Sequence, residues 1–269
     1  MSHAITLLDG AVGTNLWAMA AERGIPKVPV WQYSITHPAL VWDLAAGYVH
    51  AGSGIILANT FCANGPAVSR YPGFRVDEVV SAGVRIAKAA AGNRARVALS
   101  IGPLETVPAD KSDRIAAAAA YDEQIGAGAD AGADCIFLQT FWEKALLTLA
   151  LERAFQYDLP LLCAMTFGPD GRTYGGCTAG EFAALAAAYH PAAIGLNCSC
   201  GAEASVPVMA EFRRRTDLPL LCKPNMPPGH GPEDFVSALA PALEYVQYIG
   251  GCCGTTPEDI AALRERINK

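Results

Sequence analysis

Two pairs of cysteines stand beside glycines or at the end of an apolar run. Cys252 and Cys253 are adjacent in GGCCGTTP, and Cys198 and Cys200 follow the apolar run AIGLN. Three thiolates and one open coordination position are typical of a catalytic zinc site, because structural sites fill all four positions with protein ligands. Glycines around Cys252 and Cys253 give the backbone freedom to turn both sulfurs toward one ion. The pattern indicates a metal site, with a vicinal disulfide or an incidental pair as the alternative. Spacing does not choose between Cys198 and Cys200 as the third ligand.

Polar side chains end most of the other apolar runs. If the runs are parallel strands of a barrel, these side chains meet at the mouth where the active sites of such barrels lie. A purely structural barrel would not need polar groups at nearly every strand end. Besides the cysteines, the candidates are Asp9, Asn59, Thr60, Gln139, Thr140, Thr166, Asn197, Lys223 and Asn225.

Eight short apolar runs alternate with amphipathic, alanine-rich segments along the chain. The runs are mostly continuous Val, Ile and Leu, as expected of parallel strands covered on both faces. Eight βα units in about 250 residues predict a (β/α)8 TIM barrel of the α/β class, with residues 1–269 as one domain. An open doubly wound sheet is the alternative, but LLDGAVGTN lacks the G-x-G-x-x-G pattern of dinucleotide-binding folds. The predicted strands are 5–10, 54–61, 96–103, 135–141, 160–167, 193–199, 219–225 and 245–251, and the predicted helices include 37–51, 75–91, 112–132, 178–189 and 256–268.

The composition argues against several classes of partner. The chain is 52% hydrophobic with a net charge of −6 and no Lys/Arg stripe, which argues against binding to nucleic acid or to an anionic membrane surface. No signal-peptide pattern and no membrane-spanning apolar run are visible, so a cytoplasmic protein is expected. Nine cysteines, an odd number, do not suggest a disulfide framework in such a protein. Cys135, Cys163 and Cys222 lie within predicted strands and are expected in the core.

The motifs LLDGAVGT, NTF, GLNCS, KPNMP and GGCCGTTPEDI occur in this order over essentially the whole chain. Together they resemble the homocysteine S-methyltransferase family, which includes betaine- and S-methylmethionine-dependent enzymes and the first domain of cobalamin-dependent methionine synthase. The pairing of GLNC with GGCCGTTP is highly specific. The resemblance implies a (β/α)8 barrel with a zinc cofactor held by Cys198, Cys252 and Cys253. It also implies Asn225, from the PN motif, as a weak fourth ligand that the substrate thiol displaces.

The resemblance implies an S-methyltransferase, in which a small thiol receives a methyl group from a cationic sulfonium or ammonium donor. The acceptor would most simply be homocysteine, giving methionine. Metal coordination deprotonates a thiol whose free pKa is about 8.5, so no catalytic residue beyond the zinc site is predicted. Two alternatives stay open: a catabolic demethylase that uses another thiol, and a non-catalytic zinc- or thiol-binding barrel. A corrinoid would have to come from a partner chain, and the oligomeric state is left open.

Several substrate contacts are implied by the same resemblance. Asp9 in LDG corresponds to the family aspartate near the acceptor's amino group. Asn59, Thr60 and Phe61 match the family's NTF, whose backbone amides would hold the acceptor's carboxylate. Where the family usually carries a glutamate against the acceptor's ammonium, this chain has Gln139. The resemblance therefore predicts the zinc chemistry but leaves the identity of the acceptor open.

Aromatic residues are candidates for contact with the donor. A methylated onium group is attracted to the face of an aromatic ring by about 0.5–2 kcal/mol. Trp31, in the stretch VWQYS, is predicted to make this contact, and Tyr33 is a further candidate. The alternative for Trp31 is that its ring covers its own loop.

Overall fold

The computed structural model describes residues 4–268, and its centre is a sheet of eight parallel strands. Each predicted apolar run contributes one strand, and each strand pairs with the next in chain order from β2 to β8. The strands are β1 (Thr6–Leu7), β2 (Ile55–Leu57), β3 (Arg96–Ile101), β4 (Cys135–Phe141), β5 (Leu161–Met165), β6 (Ala193–Gly201), β7 (Leu220–Asn225) and β8 (Tyr248–Ile249).

The sheet closes into a barrel between β1 and β2. The sheet order runs β1-β8-β7-β6-β5-β4-β3-β2, so these two strands stand at its ends. A parallel bridge joins Leu8 to Ile55, and the amide of Gly54 donates to the carbonyl of Leu7 at 2.7 Å. The predicted (β/α)8 barrel is confirmed, and the open doubly wound sheet is wrong because the two end strands are joined.

Helices follow the strands and cover the outside of the barrel. The predicted helices 37–51, 75–91, 112–132, 178–189 and 256–268 correspond to α3, α5, α6, α8 and α11. Capping boxes at Thr178 and Thr256 start α8 and α11, which satisfies amides of the first turn. The helices are α1 (Gly13–Glu22), α2 (Tyr33–Thr36), α3 (Pro38–Ala51), α4 (Gly65–Val68), α5 (Val76–Ala91), α6 (Lys111–Asp130), α7 (Lys144–Ala154), α8 (Ala179–Ala187), α9 (Ala202–Arg215), α10 (Pro232–Leu239) and α11 (Pro257–Ile267), with short 3-10 turns at Val30–Gln32 and Ala240–Glu244.

The apolar core has two parts, one on each face of the strands. On β3, Val97, Leu99 and Ile101 belong to the larger cluster, which includes the buried faces of the helices. Ala98 belongs to a separate inner cluster that fills the barrel toward the N-terminal ends of the strands. The inner cluster consists of Leu8, Ile55, Ala98, Cys135, Phe137, Leu162, Ala164, Ala193 and Leu221, each at most 2% exposed.

The burial of the strand cysteines agrees with the sequence. Cys135, Cys163 and Cys222 are each at most 1% exposed, which confirms their prediction as core residues. Within residues 4–268, none of the helices has the length and apolar character needed to cross a membrane.

Candidate metal centre and substrate cavity

The barrel interior changes from apolar to polar toward the C-terminal ends of the strands. Side chains two residues apart on a strand share a face, so the face that carries the inner cluster continues upward. The next positions on that face are Ser100, Gln139, Asn197 and Lys223, each at most 6% exposed. A buried polar layer therefore lies on the apolar cluster at the mouth of the barrel, where active sites of this architecture lie.

Three cysteine sulfurs converge at this mouth. The Sγ atoms of Cys198, Cys252 and Cys253 all lie within 4.8 Å of one another and form a group that could hold a metal ion. The sulfurs of Cys198 and Cys253 are 3.6 Å apart. Cys200 is not part of the group.

The backbone conformation at the end of β6 determines where the sulfur of Cys198 lies. Cys198 has a φ of +47°, a left-handed conformation that costs a residue with a Cβ about 1–3 kcal/mol. It lies where the pairing of β6 with β7 shifts register, between Asn197 and Gly201. Because regular alternation is broken there, Cys198 and Cys200 do not present their sulfurs alike. Strain at this one residue places its thiol beside those that follow β8.

The two adjacent cysteines are held by β7. The amide of Cys252 donates to the carbonyl of Pro224 at 2.8 Å, and the amide of Met226 donates to the carbonyl of Cys253 at 2.9 Å. Gly254 follows with a φ of +88°, and a Cβ there would collide with the carbonyl of Met226. The turn therefore requires glycine, and the hydrogen bonds fix both cysteines against the end of β7.

The proximity of the thiols separates their pKa values. Hydrogen bonds from Cys198 and Cys252 hold the pKa of the Cys253 thiol well below its usual range. Hydrogen bonds with Cys252 and Cys253, together with burial, raise the pKa of Cys198. Cys253 is the most exposed of the three cysteines.

Asn225, the last residue of β7, lies between Pro224 and Met226, which bind the cysteine turn. Its Nδ2 donates to the carbonyl of Ser199 at 2.9 Å. Its Oδ1 is buried and has no hydrogen-bond partner among the described residues. A buried oxygen without a donor is unfavourable by about 1–3 kcal/mol, so this atom is suited to a ligand that has yet to bind.

Asp9 and Lys223 form a buried ion pair below the mouth. Both side chains are 1% exposed, and Lys223 Nζ donates to Oδ1 and to the backbone carbonyl of Asp9. Asp9 Oδ2 accepts from the amide of Leu57 at 2.6 Å. Burial raises the pKa of Asp9, and the ammonium of Lys223 opposes that rise. Both carboxylate oxygens of Asp9 therefore have partners within the protein.

Gln139 is the centre of a second polar network. Its Nε2 donates to Ser100 Oγ at 2.6 Å, and its Oε1 accepts a long hydrogen bond of 3.4 Å from Asn197 Nδ2. The same Nδ2 donates to Thr140 Oγ1 at 2.8 Å and approaches Cys252 Sγ at 3.9 Å. Thr140, with a φ of +63°, returns a hydrogen bond from its amide to Asn197 Oδ1 at 2.7 Å. Asn197 thus connects Gln139 to the cysteine group.

A cavity of about 220 Å³ opens beside the cysteines. Its walls come mainly from α1 and the segment before it, from the residues that follow β2, from the ends of β3, β4, β6 and β7, and from the cysteines that follow β8. Lys223 is the one formally charged group among the residues that line it, apart from the thiols, and no carboxylate lines it. The lining residues are Gly10, Ala11, Val12, Gly13, Thr14, Trp17, Val30, Leu57, Ala58, Asn59, Phe61, Ser100, Gln139, Thr140, Cys198, Lys223, Cys252 and Cys253.

The residues of NTF differ in their access to this cavity. Asn59 and Phe61 line it, and Asn59 Nδ2 donates to the carbonyl of Val30 at 2.7 Å and to Ser34 Oγ at 3.0 Å. Thr60 is fully buried and exchanges hydrogen bonds with the backbone of Ser100. Asn59 and Thr60 therefore tie β2 to its neighbours, and Phe61 presents a ring to the cavity.

Trp31 is not brought to the cavity. Its side chain is 2% exposed and packs edge-on against Tyr71 and Phe74, with ring centroids 5.5 and 5.3 Å away. Tyr33 is fully buried, and its hydroxyl donates to the carbonyl of Pro26. The tryptophan that does line the cavity is Trp17, on α1.

Sequence reasoning missed Trp17, Ser100 and the partnership of Lys223 with Asp9. Ser100 could have been found, since it shares the inward face of β3 with Ala98. No sequence signal links Lys223 to Asp9, because 214 positions separate them.

Comparison with known proteins identifies the family. A family model described as homocysteine S-methyltransferase matches residues 6–267. The homocysteine methyltransferase MmuM from Escherichia coli, in its oxidized form, is 26% identical with a TM-score of 0.83, over 97% of this chain and 96% of that chain. Its metallated form is 25% identical with a TM-score of 0.82, over 97% and 96%. A dihydrodipicolinate synthase from Bacillus clausii, 14% identical with a TM-score of 0.56 over 99% and 76%, shares the fold alone.

The family model spans nearly the whole barrel, including both strand ends that carry the cysteine group. The chain therefore belongs to the homocysteine S-methyltransferase family and is a methyltransferase.

Proposed function

We propose that this protein transfers a methyl group from a cationic sulfonium or ammonium donor to the thiol of homocysteine, with zinc held by Cys198, Cys252 and Cys253. The convergence of these three sulfurs at the wall of the cavity carries the proposal. Zinc–sulfur bonds of about 2.3 Å in a tetrahedral site set the sulfurs roughly 3.8 Å apart. The observed 3.6 Å between Cys198 and Cys253 fits that spacing.

Zinc bound by these residues would lower the pKa of the acceptor thiol and keep the thiolate nucleophilic at neutral pH. The cysteines supply a set of three ligands, which leaves one position for a substrate. Asn225 Oδ1, buried and without a donor, is suited to be the weak fourth ligand that the acceptor displaces. Acceptance of the methyl group forms one sulfur–carbon bond, and the electrons of the broken bond leave with the donor, which becomes neutral.

The rest of the cavity positions the two substrates. Holding reactants in line is worth about 7–11 kcal/mol of the barrier. Phe61 and Trp17 supply apolar walls that exclude water, and Asn59 lies beside them. Gly13 and Thr14 bring the start of α1 to the same wall, where no side chain caps the helix. Free amides at a helix start favour an anionic group such as the acceptor's carboxylate.

A second acceptor class is favoured by one observation. No carboxylate lines the cavity, and Asp9 is already paired with Lys223. An ammonium group on the acceptor therefore meets no carboxylate in the cavity, and Gln139 offers it only a neutral amide. A thiol without a free ammonium is the alternative acceptor that this arrangement supports.

The proposed function is tested by metal content and turnover. Protein purified without added metal should contain one zinc per chain and should methylate homocysteine with at least one member of a panel of sulfonium and ammonium donors. Cys252→Ser should lose most zinc and activity and keep the circular-dichroism spectrum of the barrel, while Cys222→Ala, which removes a buried thiol elsewhere, should keep its zinc. Full zinc and activity in Cys252→Ser would refute the assignment.

A further inference from the structure

Trp17 is a tryptophan at the wall of the cavity with a fixed ring. It lies on α1 about one turn beyond Gly13 and Thr14, which line the same cavity. Helical side chains lean back over the preceding turn, so the indole covers the first turn on its cavity side. Its Nε1 donates to the carbonyl of Val28 at 2.8 Å, which holds the ring in place.

A cation already lies over this ring. The Nζ of Lys27 is 4.5 Å from the ring centroid of Trp17. Lys27 is exposed, and none of the salt bridges formed within residues 4–268 involves it. A cation within about 6 Å of an indole centroid is attracted by the ring quadrupole. The contact shows that a face of the ring is accessible to positive charge, and Trp17 also lines the cavity.

Apart from the thiols, no side chain that lines the cavity carries a negative charge that would attract a cation. The charged group that lines it, Lys223, is itself positive, and its partner Asp9 does not line the cavity. Attraction of a cationic ligand must therefore come from the thiol group or from an aromatic ring. Phe61 is the other aromatic lining residue, and phenylalanine binds cations less well than tryptophan.

We propose that Trp17 is the residue that recognises the positive charge of the methyl donor, and that Lys27 competes with the donor for the same ring. The proposal rests on the proposed function, because it requires a cationic donor. When the donor binds to the ring, Lys27 either moves away or stays close to the positive charge of the donor. Coulomb repulsion between the two cations opposes the second arrangement. Donors with a neutral methyl-bearing group gain nothing from the ring quadrupole. Trp17 is thus a specificity-determining residue, and Lys27 sets how strongly the ring binds.

A binding experiment tests the ring without relying on catalysis. The probe is trimethylsulfonium ion, with tert-butanol as an uncharged molecule of similar size. Heteronuclear NMR of the zinc-loaded full chain, isotopically labelled in its four tryptophans, reports each indole N–H, and Trp17→Phe assigns the signal of Trp17. Trimethylsulfonium should shift the Trp17 signal and leave that of Trp42, which lies on the outer helix α3, unchanged. Tert-butanol should shift neither.

Lys27 provides the second arm of the test. Lys27→Met removes the cation and keeps most of the stem, so the apparent Kd of trimethylsulfonium should fall by about 2- to 5-fold. Lys111→Met, which removes a cation at the start of α6, should not change it. An unmoved Trp17 signal, an equal shift by tert-butanol, or an unchanged Kd in Lys27→Met would overturn the proposal.

Kinetics with the donor found in the panel complete the test. Trp17→Leu should raise the donor's KM by about 2- to 30-fold and leave the acceptor's KM unchanged, and Trp17→Phe should recover part of the loss. The tighter binding of the donor in Lys27→Met should vanish when Trp17→Leu is also present. A merely structural role of Trp17 would not predict this dependence. Transfer to homocysteine without any ring response would refute this inference alone. A ring response without transfer from any onium donor would instead refute the proposed function.

Discussion

Gln139→Glu is the substitution that most directly tests how the cavity recognises the ammonium group of the acceptor. Gln139 is 6% exposed and lines the cavity. Its amide now donates to Ser100 Oγ, and its carbonyl accepts from Asn197. A carboxylate fits the same contacts, because the serine hydroxyl can turn to donate and the asparagine amide already donates. The substitution therefore adds a negative charge to a cavity with no carboxylate while keeping the local network.

The expected gain follows from the geometry of an ammonium beside that carboxylate. Two unit charges about 4 Å apart interact by about 4 kcal/mol at an effective dielectric constant near 20. Desolvation of both groups removes part of this, since a hydrogen bond to a charged group contributes about 1.5–3 kcal/mol net. The corresponding change in kcat/KM is about 10- to 100-fold. It should appear only for acceptors that carry the ammonium.

The assay compares L-homocysteine with 4-mercaptobutanoate, a thiol of the same length without the amino group. The wild type should discriminate weakly between them, and Gln139→Glu should raise the preference for homocysteine by the factor above. Gln156→Glu is the matched control, because Gln156 is exposed in the connection between α7 and β5, at the other end of the barrel. A wild type that already strongly prefers homocysteine, together with a lower preference in Gln139→Glu, would refute the reasoning and make Gln139 a neutral equivalent of a carboxylate.

Three further outcomes are expected. Cys200→Ala should keep the zinc content of the wild type in elemental analysis, because its sulfur lies outside the cysteine group; loss of zinc would make Cys200 a ligand. Lys223→Met should lower the free energy of unfolding by about 3–5 kcal/mol, because buried Asp9 loses its partner. Burial raises the folded-state pKa of Asp9, so at low pH the carboxyl is neutral and the loss of unfolding free energy should be small. The loss should grow as pH rises through that pKa, because the unpaired carboxylate is then charged. A loss that does not depend on pH in urea unfolding would contradict this prediction. In metal-free protein, alkylation mapped by mass spectrometry should modify exposed Cys253 first and spare Cys222, because burial raises the pKa of Cys222 to about 12. Bound zinc should protect Cys253 from alkylation. Equal alkylation of Cys253 with and without zinc would contradict its role as a zinc ligand.

The fold was predictable because its signals are local and repeated. Eight apolar runs with capped helices between them indicated a barrel. α1 was not among the predicted helices, for a physical reason. It starts at Gly13, and Val12 at the N-cap position provides no side-chain cap, so the usual start signals are absent. Trp17, which α1 carries to the cavity, could not be placed from the sequence.

The choice between Cys198 and Cys200 shows where strand periodicity fails. On a regular strand the two thiols would share a face, so spacing alone left both open. The structure breaks that equivalence through the positive φ of Cys198 and the register shift between β6 and β7. Such strain is maintained by tertiary contacts and has no signature in local sequence. The resemblance to the family favoured Cys198, and its sulfur lies in the cysteine group.

The scarcity of fixed charge in the cavity suits the proposed chemistry. A thiolate and an onium cation combine to give two neutral products, so charge disperses as the reaction proceeds. Carboxylates in the cavity would hold the cation in its ground state and would not stabilise the transition state more. In this chain Asp9 is paired with Lys223 below the cavity, and a neutral glutamine stands at position 139. An aromatic ring attracts a cation more weakly than a carboxylate does. Trp17 can thus orient an onium group at the cavity without holding it so strongly that methyl transfer is slowed.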